Sequence, residues 1–125
     1  MAEHVEWRGF RKPIAPEFDS LDVLAFPSVL AEGMPMVLLE AFAAGVPIVG
    51  TSVPGTTDVL RDGENGLLVE PQCPEELAAA LARLLDDRPL RTAVRRHGLR
   101  DHAERYSDTV MAKRIAAAYR RVLDA

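Results

Sequence analysis

Four short apolar runs, separated by segments of helical character, limit this chain more than any other feature. VEWRGF (Val5 to Phe10) alternates apolar and polar residues and reads as a short strand. LDVLAFPS (Leu21 to Ser28) is apolar and stops at Pro27, which suits a buried strand. PIVGT (Pro47 to Thr51) reads as another buried strand, and LLVEP (Leu67 to Pro71) as a fourth. Between them lies a helix from about Pro35 to Ala44 that Gly45 ends, and a single helical turn near Thr57 to Leu60. Strands that alternate with helices pair in parallel through right-handed crossovers. The expected fold is therefore α/β, a parallel sheet with flanking helices.

The last third is helical. PEELAAALARLLDD starts on Pro74 and sets Leu77, Leu81, Leu84 and Leu85 on one face. The next segment opens on Pro89, and Gly98 is expected to interrupt it. The final helix has Ser107 as its N-cap and a stripe of Met111, Ile115, Ala118 and Val122, read as packing. The chain thus reads as one domain over 1–125, with a strand and helix core over 1–72 and C-terminal helices over 73–125.

Composition excludes several classes. An apolar fraction of 48% and a charged fraction of 27% are globular values. Net charge is −4, and the basic RRHGLR is followed at once by DHAE, so no nucleic acid is expected as a partner. The single Cys73 rules out an internal disulfide and fits a reducing, cytoplasmic compartment. No apolar run approaches the ~18 residues of a membrane span, and the N-terminus lacks a signal-peptide core. Asp58, Asp62 and Glu64 read as turn residues, and His97 and His102 would lie on different helix faces, so no metal is expected.

The chemistry concentrates in EGMPMVLLEAFAAGVP, Glu32 to Pro47, where Glu40 is a lone charge in an apolar helix. A helix that begins near Pro35 leaves its first N–H groups free, and these with the helix dipole favour an anion, typically a phosphate. Gly33 lets a ligand approach the backbone. The Glu40 side chain, with Met36 and Val37 a turn before it, leans back toward the same helix start. A carboxylate there repels phosphate but accepts hydrogen bonds from neighbouring hydroxyls, and Glu32 approaches from the loop. A phosphate flanked by carboxylates that seek hydroxyls describes a nucleotide sugar.

The stretch PSVLAEGMPMVLLEAFAAGVPIVGTSVPGTTDVLRDGENGLLVEP closely resembles the donor-binding half of GT-B glycosyltransferases, in particular the large retaining family 4. The matching pieces are Pro27 and Ser28 after a strand, the Glu-x7-Glu motif of Glu32 and Glu40, the GVPIV strand, Pro54 and Gly55, and DGENGLLVEP. Asp58 stands where the family usually has Glu. The resemblance implies a Rossmann-like parallel sheet, as part of a GT-B C-terminal domain, and a nucleoside-diphosphate sugar as donor without a further cofactor. It implies that Glu40 binds ribose hydroxyls, that Glu32 serves catalysis beside the donor sugar, and that the backbone of Gly33, Met34, Met36 and Val37 touches sugar and diphosphate. Many members have Gly where this chain has Pro35, which cannot donate, so those contacts fall to Met34 or Met36.

The resemblance also sets expectations about what lies outside the match. Members carry an acceptor domain and, near the start of the donor domain, an Arg and a Lys that neutralise the leaving diphosphate. This chain is expected to begin at the third strand of the domain, which the usual order 3-2-1-4-5-6 separates from LDVLAFPS by two strands. Arg8, Arg11 and Lys12 are candidate substitutes for the basic pair. The open edge of LDVLAFPS is expected to be closed by a homodimer, strand exchange or a shifted N-terminal strand. The isolated chain is expected to be inactive, the alternative being a non-catalytic domain that keeps weak nucleotide binding or only the fold.

Overall fold

The computed structural model describes residues 2–125. β2 (Ile48–Thr51) is buried along its whole length, with β1 (Leu24–Phe26) and β3 (Leu67–Val69) on either side in the order β1-β2-β3. Both pairings are parallel, with Phe26 opposite Gly50 and Thr51 opposite Val69. Successive side chains of a strand face opposite sides of its sheet, so Ile48 and Val49 belong to different cores. Ile48 packs with Phe18 of α1 (Ala15–Asp19) and with Leu38, Leu39 and Phe42 of α2 (Met36–Ala44). Val49 packs with Leu67, Val69, Leu84 of α4 (Pro74–Asp86) and Val94 of α5 (Arg88–Asp101). The result is the expected Rossmann-like α/β arrangement, a parallel three-stranded sheet between helices.

Element boundaries follow local chemistry. Gly45 caps α2 at φ 70°, and the Val46 N–H donates to the Ala41 carbonyl at 2.9 Å, which closes the helix as predicted. Pro35 is the N-cap of α2 rather than its first helical residue, and no side chain caps that end. The single turn α3 (Thr56–Val59) begins one residue earlier than expected. In α6 (Asp108–Leu123), Ser107 caps the helix by accepting the Val110 N–H at 3.3 Å.

Three expectations are corrected. VEWRGF is not a strand: after a short 3-10 turn at Ala2–His4 the segment is irregular, with Trp7 93% and Phe10 91% exposed. Alternation provides a face, but a strand also needs a ladder, and none of the three strands pairs with this segment. Gly98 does not interrupt α5. A Cβ there would stand 2.7 Å from Phe42 Cδ1, so the glycine lets α5 cross close to α2. The irregularity comes later, as a π-helical turn at His102–Tyr106 that brings the Tyr106 ring within 6.4 Å of Phe42. Finally, the stripe on α6 does not pack: Met111, Ile115 and Val122 are exposed and the helix has no buried residue.

Candidate functional site

The carboxyl ends of β1 and β2 lie side by side and send out the two loops that build the site. From β2, the buried Thr51 hydroxyl donates to the carbonyl of Ser28, just past β1. The Ser28 hydroxyl in turn donates to Glu32 Oε1 at 2.7 Å. The Glu32 N–H donates to the Pro54 carbonyl at 2.9 Å. Gly55, at φ 92°, makes this approach possible, because a Cβ there would stand 2.5 Å from the carbonyl oxygens of both Glu32 and Gly33. The loop from Ser28 to Met34 is thus seated on the loop after β2.

The predicted residues lie at and after the start of α2 and in the loop before it. Glu32, Gly33 and Met34 are exposed, and the space where a Gly33 Cβ would sit is open. Pro35 is buried beneath the loop. Met36 and Val37 follow it, and with no side-chain cap their N–H groups stay available at the positive end of the helix. The Val37 side chain is half-buried against the first core, so only its backbone can serve a ligand. Glu40 shares an exposed stripe with Met36, one turn earlier, while Leu38, Leu39, Ala41 and Phe42 are buried. Among the described residues Glu40 has no ion-pair partner, so its carboxylate is free to accept. A cavity of about 150 Å³ adjoins the strand ends, lined by Pro27, Val29, Thr51 and Glu70 among others. A second cavity, about 720 Å³, is lined at the opposite strand ends by Asp22, Gly45, Pro47 and Arg91, and none of the predicted site residues lines it.

Of the three candidate basic substitutes, Lys12 is exposed and two have partners of their own. Arg8 donates to Glu6 at 3.1 Å and to Glu17, and Arg11 lies 4.0 Å from the same Glu17 carboxylate, so both are engaged on α1. The DGENG segment is structural. Asp62 accepts the Leu68 N–H at 2.9 Å, and buried Asn65 donates to the Val59 carbonyl at 3.0 Å and to Asp101 Oδ2 at 2.9 Å. Arg61 joins Asp101 at 2.7 Å and Glu64 at 2.9 Å. His97 Nδ1 lies 2.8 Å from the Glu64 carbonyl oxygen, which gives that histidine a structural partner. Sequence reasoning gave no supporting role to Thr51 or Gly55, which hold the loop, and did not find the Asn65–Asp101 bond away from it. Gly55 was visible only as half of a Pro-Gly pair.

With this geometry in hand, a family model described as "Glycosyl transferases group 1" matches residues 1–87. The chain belongs to the glycosyl transferases group 1 family. A D-inositol 3-phosphate glycosyltransferase from Corynebacterium urealyticum is 39% identical over 116 residues, covering 89% of this chain and 27% of that protein. An exopolysaccharide phosphotransferase from Streptomyces coelicolor is 39% identical over 114 residues, covering 89% of this chain and 12% of its own length. The chain therefore spans about a quarter or less of these relatives. Among solved structures, Anabaena HepE in complex with UDP superposes with a TM-score of 0.91 at 23% identity, over 96% of this chain and 33% of that one. Sucrose-phosphate synthase from Thermosynechococcus elongatus gives 0.81 at 27% identity, over 89% and 28%. The group 1 chain thus carries a Rossmann-like part of a GT-B fold, and among its described residues no helix is long and apolar enough to cross a membrane.

Proposed function

We propose that this chain is the donor-binding portion of a glycosyltransferase that takes a nucleoside-diphosphate sugar and transfers the sugar with retention of configuration. One observation carries the reading: an uncapped helix start and two exposed carboxylates, Glu32 and Glu40, share the loop and helix at the carboxyl ends of β1 and β2. The N–H groups of Met36 and Val37 meet the diphosphate. Glu40 accepts from the ribose hydroxyls. Glu32, with the backbone of Gly33 and Met34, meets the donor sugar and serves catalysis. Rate enhancement in such a site comes from positioning and from stabilising charge on the leaving diphosphate. One protein of the same fold, Anabaena HepE, was crystallised with UDP and with UDP-glucose, which supports the ligand class. The free Cys73 thiol fits the cytoplasm as its compartment.

By itself the chain binds donor without turnover, because two of its three candidate cations, Arg8 and Arg11, are held by Glu17 rather than offered to a diphosphate. The same observation favours a second reading, a non-catalytic domain that keeps only the fold. The open β1 edge and the exposed Trp7 and Phe10 are in this reading an interface with a second copy. Titration calorimetry with UDP, GDP and their sugars separates the two readings. Donor binding that Glu40→Ala weakens supports the first, and no heat at millimolar ligand supports the second. Measured transfer or steady donor hydrolysis by the purified chain would overturn the inactivity.

A further inference from the structure

We propose that Ser28 and Thr51 are positioning residues that fix the Glu32 carboxylate for the donor sugar. The proposal rests on the reading of Glu32 as the carboxylate at the sugar end of the site. Glu32 is exposed and on a loop, the setting in which a long side chain ordinarily samples several rotamers. Here its Oε1 accepts the Ser28 hydroxyl at 2.7 Å, a charge-assisted bond that selects one arrangement. Ser28 is itself held through its carbonyl, which accepts the Thr51 hydroxyl. Thr51 is 3% exposed and belongs to β2, the strand buried on both faces. The position of the carboxylate is therefore referred to the middle of the sheet, not to the loop that carries it.

The backbone is fixed from the same side. The Glu32 N–H is bound to Pro54, and Gly55 lies directly against the carbonyls of Glu32 and Gly33. The Ser28 hydroxyl uses one lone pair of Oε1, and Oε2 keeps its full capacity to accept from a sugar hydroxyl. A sugar that meets a carboxylate already in place does not have to order it, so the sugar's share of the affinity rises.

The test compares UDP with UDP-glucose, because the proposal concerns only the sugar end. Ser28→Ala should lower the affinity for UDP-glucose relative to UDP by roughly three- to tenfold. Thr51→Val should shift the ratio in the same direction, and Thr51→Ser, which keeps the hydroxyl, should restore it. A readout that needs no ligand runs beside it: the Hα–Hβ couplings of Glu32 by NMR. They should report a single rotamer in the natural chain and averaging in Ser28→Ala. Averaged couplings in the natural chain, unchanged couplings in Ser28→Ala, or equal losses for UDP and UDP-glucose would each overturn the proposal. If UDP, GDP and their sugars all fail to bind while the couplings behave as expected, the donor reading fails and the positioning of Glu32 stands.

Discussion

Asp101 is buried, and burial by itself pushes its carboxyl upward. Hydrogen bonds from Asn65 and Arg61, with the charges of Arg61 and Arg105, more than offset that, and the carboxyl is held below its usual range. Its partners shift accordingly: Arg61 is raised, chiefly by its bond to Glu64, and Glu64 is lowered by the same bond. A carboxyl depressed in the folded chain stabilises the fold above its unfolded value, near 3.8, and this contribution is lost as pH falls through the lower folded value. Asp101→Asn should cost about 1–3 kcal/mol at pH 7, since Arg61 loses its more buried anionic partner while Glu64 and solvent still serve its guanidinium. Urea denaturation at several pH values should show the gap between variant and natural chain closing in acid below that range. At this scale the candidate site was half legible. Glu32, Gly33 and Glu40 stand in one contiguous motif, whereas Thr51 supports Ser28 from 23 residues away and Asn65 meets Asp101 across 36. No local pattern encodes a bond of that span.

The helices α2 to α6 and the strands β1 to β3 were legible as elements because each carries its own periodicity or its own stop signal, such as Gly45 after α2 and Ser107 before α6, whereas the short α1 and the π-helical turn at His102–Tyr106 carry neither. Two misreadings share a cause. VEWRGF has the alternation of a strand but no ladder, and Gly98 looks like a helix breaker until Phe42 is brought against it. In both, the partner decides, and the partner is remote in sequence. The α2–α5 crossing gives a test with a sign in it. Replacing a mid-helix glycine by alanine gains about 1 kcal/mol of helix propensity, while overpacking a filled core costs about 1–3 kcal/mol. Phe42 is 1% exposed and cannot swing away, so Gly98→Ala should destabilise the natural chain by about 1 kcal/mol. In a Phe42→Leu background the obstructing ring is gone, and the same substitution should be neutral or stabilising. Thermal unfolding of the four chains measures this coupling directly. A stabilising effect in both backgrounds would mean that Gly98 is not a spacer.

The described residues form a sheet of three strands, and among them β1 pairs with β2 alone. Leu24, Ala25 and Phe26 carry no charge, so nothing along that edge discourages pairing with another backbone. Nearby in sequence, Trp7 and Phe10 lie almost wholly in solvent, in a segment whose alternation suits a strand that lacks only a neighbour. These two surfaces are complementary: one offers unpaired N–H and C=O groups, the other an unpaired segment with exposed Trp7 and Phe10. The chain should therefore self-associate as its concentration rises, with that segment of one copy on the β1 edge of another. Light scattering over a wide concentration range should show the apparent mass climbing from monomer toward dimer. Ala25→Lys, which places a charge on the edge strand, and the pair Trp7→Ser with Phe10→Ser should each return the chain to monomer without unfolding it. The exposed stripe on α6 supplies the control, because it lies outside this interface. Met111→Lys should leave the association unchanged if the edge drives it, and a loss of association in that variant would move the interface from the sheet to the C-terminal helix.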